Sequence, residues 1–583
     1  MMSPLRVLLL FLSLTFQALL ASPLDVQVED SNSTVPVGSL FFRSGVSSPF
    51  IAKSHTSGSL RGSLLLHNGR IHTFAASNRV VSVLAVKDGY ITYTGDSVLE
   101  AERTLALSSF SVRKINLRRR VAVPGLIDCH NHIVLLGNRP GYHTPLEQCF
   151  SIADVKATYQ QRVKKVPKNE WITTIGGFSP NQFKEVRLPT LEELDNAVGD
   201  NPVFISMSFS GPATTNTKGR EIFEREAGVA IAGNGSIASG VENGKALLWL
   251  RKNLLGFEER KRGVRSAMEY AASVGVTTHL DQGAFSATNT PSDGAASEDL
   301  YTFHLPWLSV YSDLQGIIRL RVNFLHDDST ASNPTLVERL RNTFPFFGND
   351  MIRTGAIGEF AVGIAHYAGG PIFEAAALKI AKAGWRLEVH ALGDNDLKTQ
   401  LEGFEKVNAE VPIKNLRWVV AHVPRISADS LIRLKALGAG VNVSGWPFLE
   451  GTGNATNPAG PPFRRILDSK IHVGFGADGA NIAPLSPWPH AYYAVTGKNS
   501  KGELINPGQS ISRQEVLELF TKHNTWFLGG PDEHNLGILE KGRLGDVAVL
   551  SEDYFTIPEE KIKQLRSVLT VVGGVVVWDS GEL

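Results

Sequence analysis

The sequence predicts an α/β protein: a (β/α)8 barrel of the TIM type, together with a small β-sandwich built from both ends of the chain. Two observations carry this prediction. Strand-like apolar runs alternate with helical segments through the middle of the chain, and short β-rich segments stand at its two ends. The 583 residues are 43% hydrophobic and 20% charged, a composition typical of a folded globular protein. The 58 basic and 57 acidic residues nearly balance, which gives no electrostatic reason to expect a nucleic acid or an anionic membrane as partner.

The first segment has the features of a secretory signal peptide. Arg6 precedes a short apolar run at residues 7–20, which ends in small residues. We expect residues 1–21 to be removed and residues 22–61, which are rich in Ser, Thr and Pro, to form a flexible lead-in. The mature protein is then secreted or kept in the secretory pathway. An uncleaved signal anchor is the alternative, but the run is shorter than the ~20 residues that span a bilayer. Asn-X-Ser/Thr triplets, compatible with a glycoprotein, begin at Asn32, Asn234, Asn442 and Asn454.

Residues 62–120 and 537–583 are predicted to fold together as one β-sandwich. Near the start, Asn68-Gly69 stands between two short apolar runs, which is a strong hairpin signal. Near the end, Gly573-Gly574 joins two runs rich in valine. Neither end has enough residues to bury a core by itself, so the two ends are expected to share one.

Residues 121–536 are predicted to form the barrel. The strand candidates are the apolar runs at residues 121–127, 202–207, 276–281, 318–325, 385–390, 416–422, 441–444 and 471–478. Helical segments at residues 261–274, 372–383 and 431–437 each end before a glycine, a common helix stop. An open doubly wound sheet is the alternative. It lacks support because no strand candidate is followed by a glycine-rich phosphate loop.

Side chains that bind metals stand at the ends of several strand candidates. His130 and His132 follow the first run, and alternation along a strand sends both to the same side. His390, His422 and Asp478 each end or directly follow a later run. In a barrel these positions meet at the C-terminal mouth, where active sites are built. Imidazole and carboxylate ligands suit Zn²⁺, with Fe, Mn and Ni as alternatives, so the sequence predicts a divalent-metal site.

The same residues resemble a known family. Residues 124–132, Pro-Gly-Leu-Ile-Asp-Cys-His-Asn-His, are similar to the opening signature of the amidohydrolase superfamily. Residues 390–394, His-Ala-Leu-Gly-Asp, resemble an element of the branch that contains N-substituted formamide deformylases, and Ala421-His422 and Gly474–Asp478 follow in the order of that branch. The resemblance extends from about residue 62 to residue 578. It implies a (β/α)8 barrel that holds one or two metal ions, with a β-sandwich from both chain ends.

Three departures from the family concern the metals and the substrate. Where many members carry a lysine, which bridges two metals in some of them, this chain has Gly358 followed by Glu359. Glu359 could bridge two metals, bind one, or be an ordinary carboxylate at a strand end. The Glu-His pair of the branch becomes Ala421-His422, and its Asp-Gly-His becomes Ser210-Gly211-Pro212.

The resemblance implies a hydrolase for carbon–nitrogen bonds other than peptide bonds, acting on an amide or formamide-like group of a small molecule. Zn²⁺ lowers the pKa of a bound water to about 7, which supplies hydroxide as nucleophile. Asp478 is the expected general base and later general acid, and in a one-metal site His422 polarises the carbonyl. Asp128 is expected to orient a histidine or a nearby loop. For Asp394 the two roles are substrate binding and capping of the following helix, and capping is favoured because Asp suits that position. The alternatives are a non-catalytic or repurposed barrel and a metal-dependent decarboxylase or biosynthetic enzyme.

Overall fold

The computed structural model describes residues 55–56, 59–283, 300–479 and 482–583. The predicted signal peptide and most of the predicted lead-in lie outside the described residues. Within the described part of that lead-in, His55–Thr56 pairs antiparallel with Ser59–Leu60. In the described part of the chain, every helix is too short or too polar to cross a membrane.

The barrel consists of parallel strands arranged as two four-stranded sheets within the described ranges. In chain order these strands are Leu126–Asn131, Val276–Asp281, Arg319–Phe324, Ile352–Ile357, Glu388–Ala391, Val419–His422, Gly440–Val443 and His472–Phe475. A parallel bridge between Ile357 and Leu387 joins the two sheets. The ring closes where the backbone N–H of Asp478 donates to the carbonyl of His130 over 2.8 Å. The predicted (β/α)8 barrel is confirmed.

Helices lie between the barrel strands and, after the last of them, in the segment that leads back to the β-sandwich. Their bounds are Ile133–Gly137, Phe257–Ser273, Leu300–Ser312, Pro334–Asn342, Pro371–Lys382, Asp394–Glu410, Ala428–Ala436, Pro447–Glu450, Phe463–Asp468, Pro487–Thr496, Arg513–Glu518, Thr525–Leu528 and Asp532–Asn535. Gly275, Gly384 and Gly438 lie just beyond three of these helices with φ of 92°, 72° and 70°, the left-handed conformation that glycine adopts at low cost.

A separate unit is inserted between the first and second barrel strands. Its five-stranded mixed sheet contains Tyr142–His143, Ile172–Ile175, Val203–Ser206, Ala213–Thr215 and Ser236–Ile237, and its helices are Ile152–Val163, Leu191–Val198, Thr217–Ile222 and Val241–Leu254. The apolar run at residues 202–207 is therefore a strand as expected, but it belongs to this inserted sheet. It pairs antiparallel with Ala213–Thr215, an arrangement that a barrel strand does not have.

The β-sandwich combines strands from both chain ends, as the sequence predicts. One sheet has the order Val575–Asp579, Ser567–Val572, Val547–Leu550, Val121–Pro124, Arg70–His72 and Val80–Val81. The other has the order Tyr90–Gly95, Val83–Lys87, Ser63–His67 and Val112–Asn116, with the helix Val98–Thr104 beside it. Leu64 and Leu84 from the first end share a buried core with Val547 and Val571 from the second. The strand Val121–Pro124 pairs within the sandwich, so the first barrel strand begins at Leu126.

Candidate metal centre

Six side chains predicted from the sequence meet at the C-terminal ends of the barrel strands. His130 and His132 come from the first strand and the residue after it, and Glu359 follows the fourth strand by two residues. The fifth strand contains His390, the sixth ends at His422, and Asp478 lies three residues beyond the last. These side chains are His130, His132, Glu359, His390, His422 and Asp478.

Glu359 stands at the middle of this cluster. Its Oε1 lies 3.1 Å from Nε2 of His132, and its Oε2 lies 2.9 Å from Nδ1 of His390 and 3.1 Å from Nε2 of His422. The cluster therefore forms two groups that share Glu359 and whose possible ligand atoms lie within 4.8 Å of one another. The members are His130, His132, Glu359 and Asp478 in one group, and Glu359, His390 and His422 in the other. A shared carboxylate in this position has the placement required of a bridging ligand.

The nitrogen atoms of the first pair of histidines are arranged as metal ligands require. Nδ1 of His130 contacts Oε1 of Glu388 at 2.7 Å, and Nδ1 of His132 contacts the carbonyl of Gly283 at 2.8 Å. Because a carboxylate and a carbonyl only accept, each Nδ1 carries a proton, which leaves Nε2 as the nitrogen of each ring that can bind a metal. Nε2 of His130 is buried without a hydrogen-bond partner, 3.6 Å from Glu359 and 3.8 Å from Asp478. A divalent cation is the group that satisfies this atom, so the residues fit a metal.

The electrostatic field of the cluster is negative. Burial alone lowers the pKa of His130, but the carboxylates of Glu388, Glu359 and Asp478 raise it to about 9. Burial alone raises the pKa of Glu359, yet the neighbouring histidines hold it well below its ordinary value, so the carboxylate is ionised. Surroundings that favour a proton on a buried imidazole also favour a bound cation at the same place.

Two ligand candidates have an unusual backbone conformation. His422 and Asp478 have φ of 71° and 52°, in the left-handed region that few non-glycine residues adopt. Each lies where its strand turns into the following loop, and the turn directs the side chain into the cluster. Such strain is concentrated at functional sites, where the surrounding structure maintains it.

Gly476 allows the first and last strands to approach closely. A Cβ atom at this position would lie 2.5 Å from Cβ and 2.6 Å from the backbone nitrogen and oxygen of His130. Asp128 strengthens the same junction, because its Oδ1 accepts the N–H groups of His130 and Ala477, each over 3.1 Å. The expectation that Asp128 orients a histidine therefore agrees with its contacts. Asp394 lies in the first turn of its helix, but the side chain that bonds the helix start is Asp396, which accepts from the N–H of Gly393.

The polar residues beneath the cluster are not among the site residues that the sequence predicts. Glu388 is fully buried and accepts from His130, from Nδ2 of Asn442 at 3.2 Å and from Arg386 at 3.4 Å. The signal that could have found it is its spacing: Arg386, Glu388 and His390 alternate along the run at residues 385–390, and in an extended chain alternate residues face the same side.

Comparison with known proteins identifies the family. The sequence profile of the Amidohydrolase family matches residues 113–578, which is most of the chain and includes all six clustered side chains. The chain belongs to the amidohydrolase family. As a member of this family the chain is an enzyme for metal-dependent hydrolysis of carbon–nitrogen bonds, and the cluster offers the ligands for the metal.

Two relatives match the amidohydrolase over nearly their whole length. The N-substituted formamide deformylase of Arthrobacter pascens is 21% identical over 561 residues, covering 88% of this chain and 98% of the relative. The protein LONG AFTER FAR-RED 3 of Arabidopsis thaliana is 23% identical over 573 residues, covering 88% of this chain and 91% of the relative.

Solved structures share the fold of the amidohydrolase. An uncharacterized metal-dependent hydrolase from Pyrococcus horikoshii superposes with a TM-score of 0.55 at 17% identity, covering 86% of this chain and 99% of that one. The atrazine chlorohydrolase of Arthrobacter aurescens, solved in complex with zinc, gives a TM-score of 0.50 at 17% identity, covering 89% of this chain and 95% of that one.

Proposed function

We propose that this amidohydrolase cleaves an amide or formamide-like carbon–nitrogen bond of a small molecule, using one or two divalent ions, with Zn²⁺ as the preferred metal. The observation that carries the proposal is the buried Nε2 of His130, which has no hydrogen-bond partner and faces two carboxylates. The ligand set of four imidazoles and two carboxylates is of the kind that binds zinc in catalytic sites.

The side chains would divide between holding the metal and moving the proton. His130, His132, His390, His422, Glu359 and Asp478 would hold it. A bound divalent ion supplies an acidified water and polarises the substrate carbonyl. Asp478 would take the proton of that water and return it to the leaving nitrogen, since its carboxylate is buried among three histidines at the mouth of the barrel. In a one-metal site His422 would polarise the carbonyl.

The formamide deformylase relative supports the choice of bond. It aligns over 98% of its length, so the similarity includes both the barrel and the sandwich. In a formamide the carbonyl carbon carries only a hydrogen and the substituted nitrogen, so the carbonyl can reach the metal with little steric hindrance.

Metal analysis and a substrate panel test the proposal together. The purified protein should contain one to two divalent ions per chain, and the double variant His130→Ala/His132→Ala should lose most of the metal. The panel consists of N-substituted formamides, simple amides and an aromatic carboxylic acid. Release of formate and amine supports the proposal, whereas turnover of the aromatic acid alone would favour a decarboxylase. A double variant with full metal content would refute the assignment of the site.

We also propose that the protein passes through the secretory pathway, with residues 1–21 removed, and that it is glycosylated. Asn234 and Asn454 are exposed, whereas Asn442 is buried and donates to the carbonyl of Cys129, so the first two are the expected acceptors. The fourth triplet, at Asn32, lies outside the described residues. N-terminal sequencing of secreted protein, and glycosidase treatment of Asn234→Gln and Asn454→Gln variants, test this. A secreted protein that starts at Met1 would contradict the cleavage.

A further inference from the structure

A row of polar side chains lies on the inner side of the fifth barrel strand, Glu388–Ala391, and of the residues just before it. Arg386, Glu388 and His390 occupy alternate positions, and alternation sends all three to one side. Arg386 and Glu388 are buried, with 3% and 0% of their surface exposed. The row therefore extends from the barrel interior to the metal cluster, and Glu388 lies one position of the row deeper in the barrel than His390.

Glu388 is held from both oxygen atoms. Its Oε1 accepts from Nδ1 of His130 over 2.7 Å and from Nδ2 of Asn442 over 3.2 Å, and its Oε2 accepts from Arg386 over 3.4 Å. Three neighbouring parts of the barrel thus fix one carboxylate. The hydrogen bond to His130 decides which imidazole nitrogen keeps its proton and leaves Nε2 available to a metal.

We propose that Glu388 is a positioning residue, which fixes the tautomer and ring orientation of His130 and thereby sets the metal affinity of the centre. The inference rests on the proposed metal-dependent function. A carboxylate that accepts the N–H of a ligating histidine makes the other ring nitrogen more basic, so that it binds the metal more strongly. Removal of such a carboxylate typically lowers metal affinity by about 10- to 100-fold.

A purely structural role for Glu388 makes a different prediction. In that case the carboxylate would only neutralise Arg386, whose guanidinium would otherwise be buried without a carboxylate. Replacing both charges would then restore normal metal binding. If Glu388 acts through His130, the double replacement still lacks the negative carboxylate behind the imidazole, and the affinity stays low.

The test measures zinc affinity with a chromophoric chelator as competitor, and the visible spectrum after cobalt(II) substitution. The proteins are wild type, Glu388→Gln and Arg386→Met/Glu388→Gln. We expect zinc to bind both variants about 10- to 100-fold more weakly than wild type, with a changed cobalt spectrum because a neutral amide polarises and orients His130 less strongly than a carboxylate. The double variant also covers the case in which Glu388→Gln alone fails to fold.

A matched control is Asp532→Asn, which removes another buried carboxylate that pairs with the buried Arg321 and Arg353. Its zinc affinity and cobalt spectrum should equal those of wild type. Wild-type affinity in Glu388→Gln, or its recovery in the double variant, would overturn the positioning role. A wild-type protein that binds neither ion would instead refute the proposed function itself.

Discussion

Asp478 combines two contacts that a proton-transferring carboxylate needs. Its backbone closes the barrel at His130, and its side chain lies 3.4 Å from Nε2 of His132 and 3.7 Å from Nδ1 of His422. We expect Asp478→Asn to lower turnover by roughly 10²- to 10⁴-fold, because an amide cannot accept the proton of water. The fold and most of the metal should remain. Steady-state kinetics and metal analysis of the same preparation provide the measurement.

The exposed Asp394 offers a control for this variant. Asp394→Asn should change turnover little, since the side chain lies in the first turn of an outer helix. A fully active Asp478→Asn enzyme would rule out the proposed proton transfer.

Glu359 decides how many ions the centre holds. Because both of its oxygens contact ligand candidates, Glu359→Gln should reduce the metal content towards one ion per chain and lower activity with it. Elemental analysis checks the content. Glu374→Gln, at a surface pair with Lys406, is the matched control and should keep the wild-type content. If Glu359→Gln also keeps the wild-type metal content, Glu359 does not bridge two metal ions.

His490 should make stability depend on pH. Its Nδ1 accepts the N–H of Gly445 and its Nε2–H donates to the carbonyl of Pro484, so the folded state requires the neutral ring. Burial lowers its pKa from 6.5 to about 4. Between these values the unfolded chain binds the proton more readily, so the free energy of unfolding falls as the pH falls. The loss from this residue is on the order of 3 kcal/mol by pH 4.

The variant His490→Gln isolates this contribution. It should show a flatter decline in unfolding free energy between pH 6.5 and pH 4, measured by denaturant titration. Equal slopes for wild type and variant would contradict the assignment.

The sequence predicts the candidate metal ligands better than it predicts the residues that hydrogen-bond to them. His130, His132 and Asp478 follow apolar runs, so the strand pattern alone places them at the mouth of the barrel. Glu388 lies within a run, where a single carboxylate looks like a chance polar residue, and its partner His130 is 258 residues away. Contacts between strands so distant in the chain depend on barrel closure, which local pattern does not encode.

Strand identity is likewise more predictable than sheet membership. Val203–Ser206 is buried at every position, as a barrel strand would be, yet it lies in the inserted sheet. Its antiparallel partner Ala213–Thr215 reveals the difference, but that strand has only three residues and is too short to be recognised from its pattern. From its pattern alone, the strand Val203–Ser206 is therefore indistinguishable from a barrel strand.

The junction of the first and last strands should be sensitive to a single methyl group. Gly476→Ala would push a Cβ atom against His130, so we expect reduced metal content and a lower melting temperature. Thermal unfolding and metal analysis check both. Gly233→Ala is the control, because a Cβ atom there meets nothing within 4 Å. If the two variants have the same metal content and melting temperature, the first and last barrel strands can move apart enough to accommodate the added methyl group.

The β-sandwich and the barrel are joined by buried charge as well as by chain connections. Arg319 on the third barrel strand donates to Asp546, just before a sandwich strand, over 2.7 and 2.9 Å. The same carboxylate accepts the N–H of Gly573 over 2.7 Å. A bidentate pair with neither partner in solvent therefore links the C-terminal part of the β-sandwich to the barrel.

Removing one partner of this pair should destabilise the protein strongly. Asp546→Asn leaves the guanidinium of Arg319 buried without a carboxylate, so we expect the free energy of unfolding to fall by about 3–5 kcal/mol. The matched control is Asp579→Asn in the same sandwich, whose partner Arg113 is 48% exposed and whose loss should cost at most about 1 kcal/mol. Denaturant unfolding of both variants gives the comparison. If Asp546→Asn is no less stable than Asp579→Asn, the sandwich is held to the barrel by its apolar contacts alone.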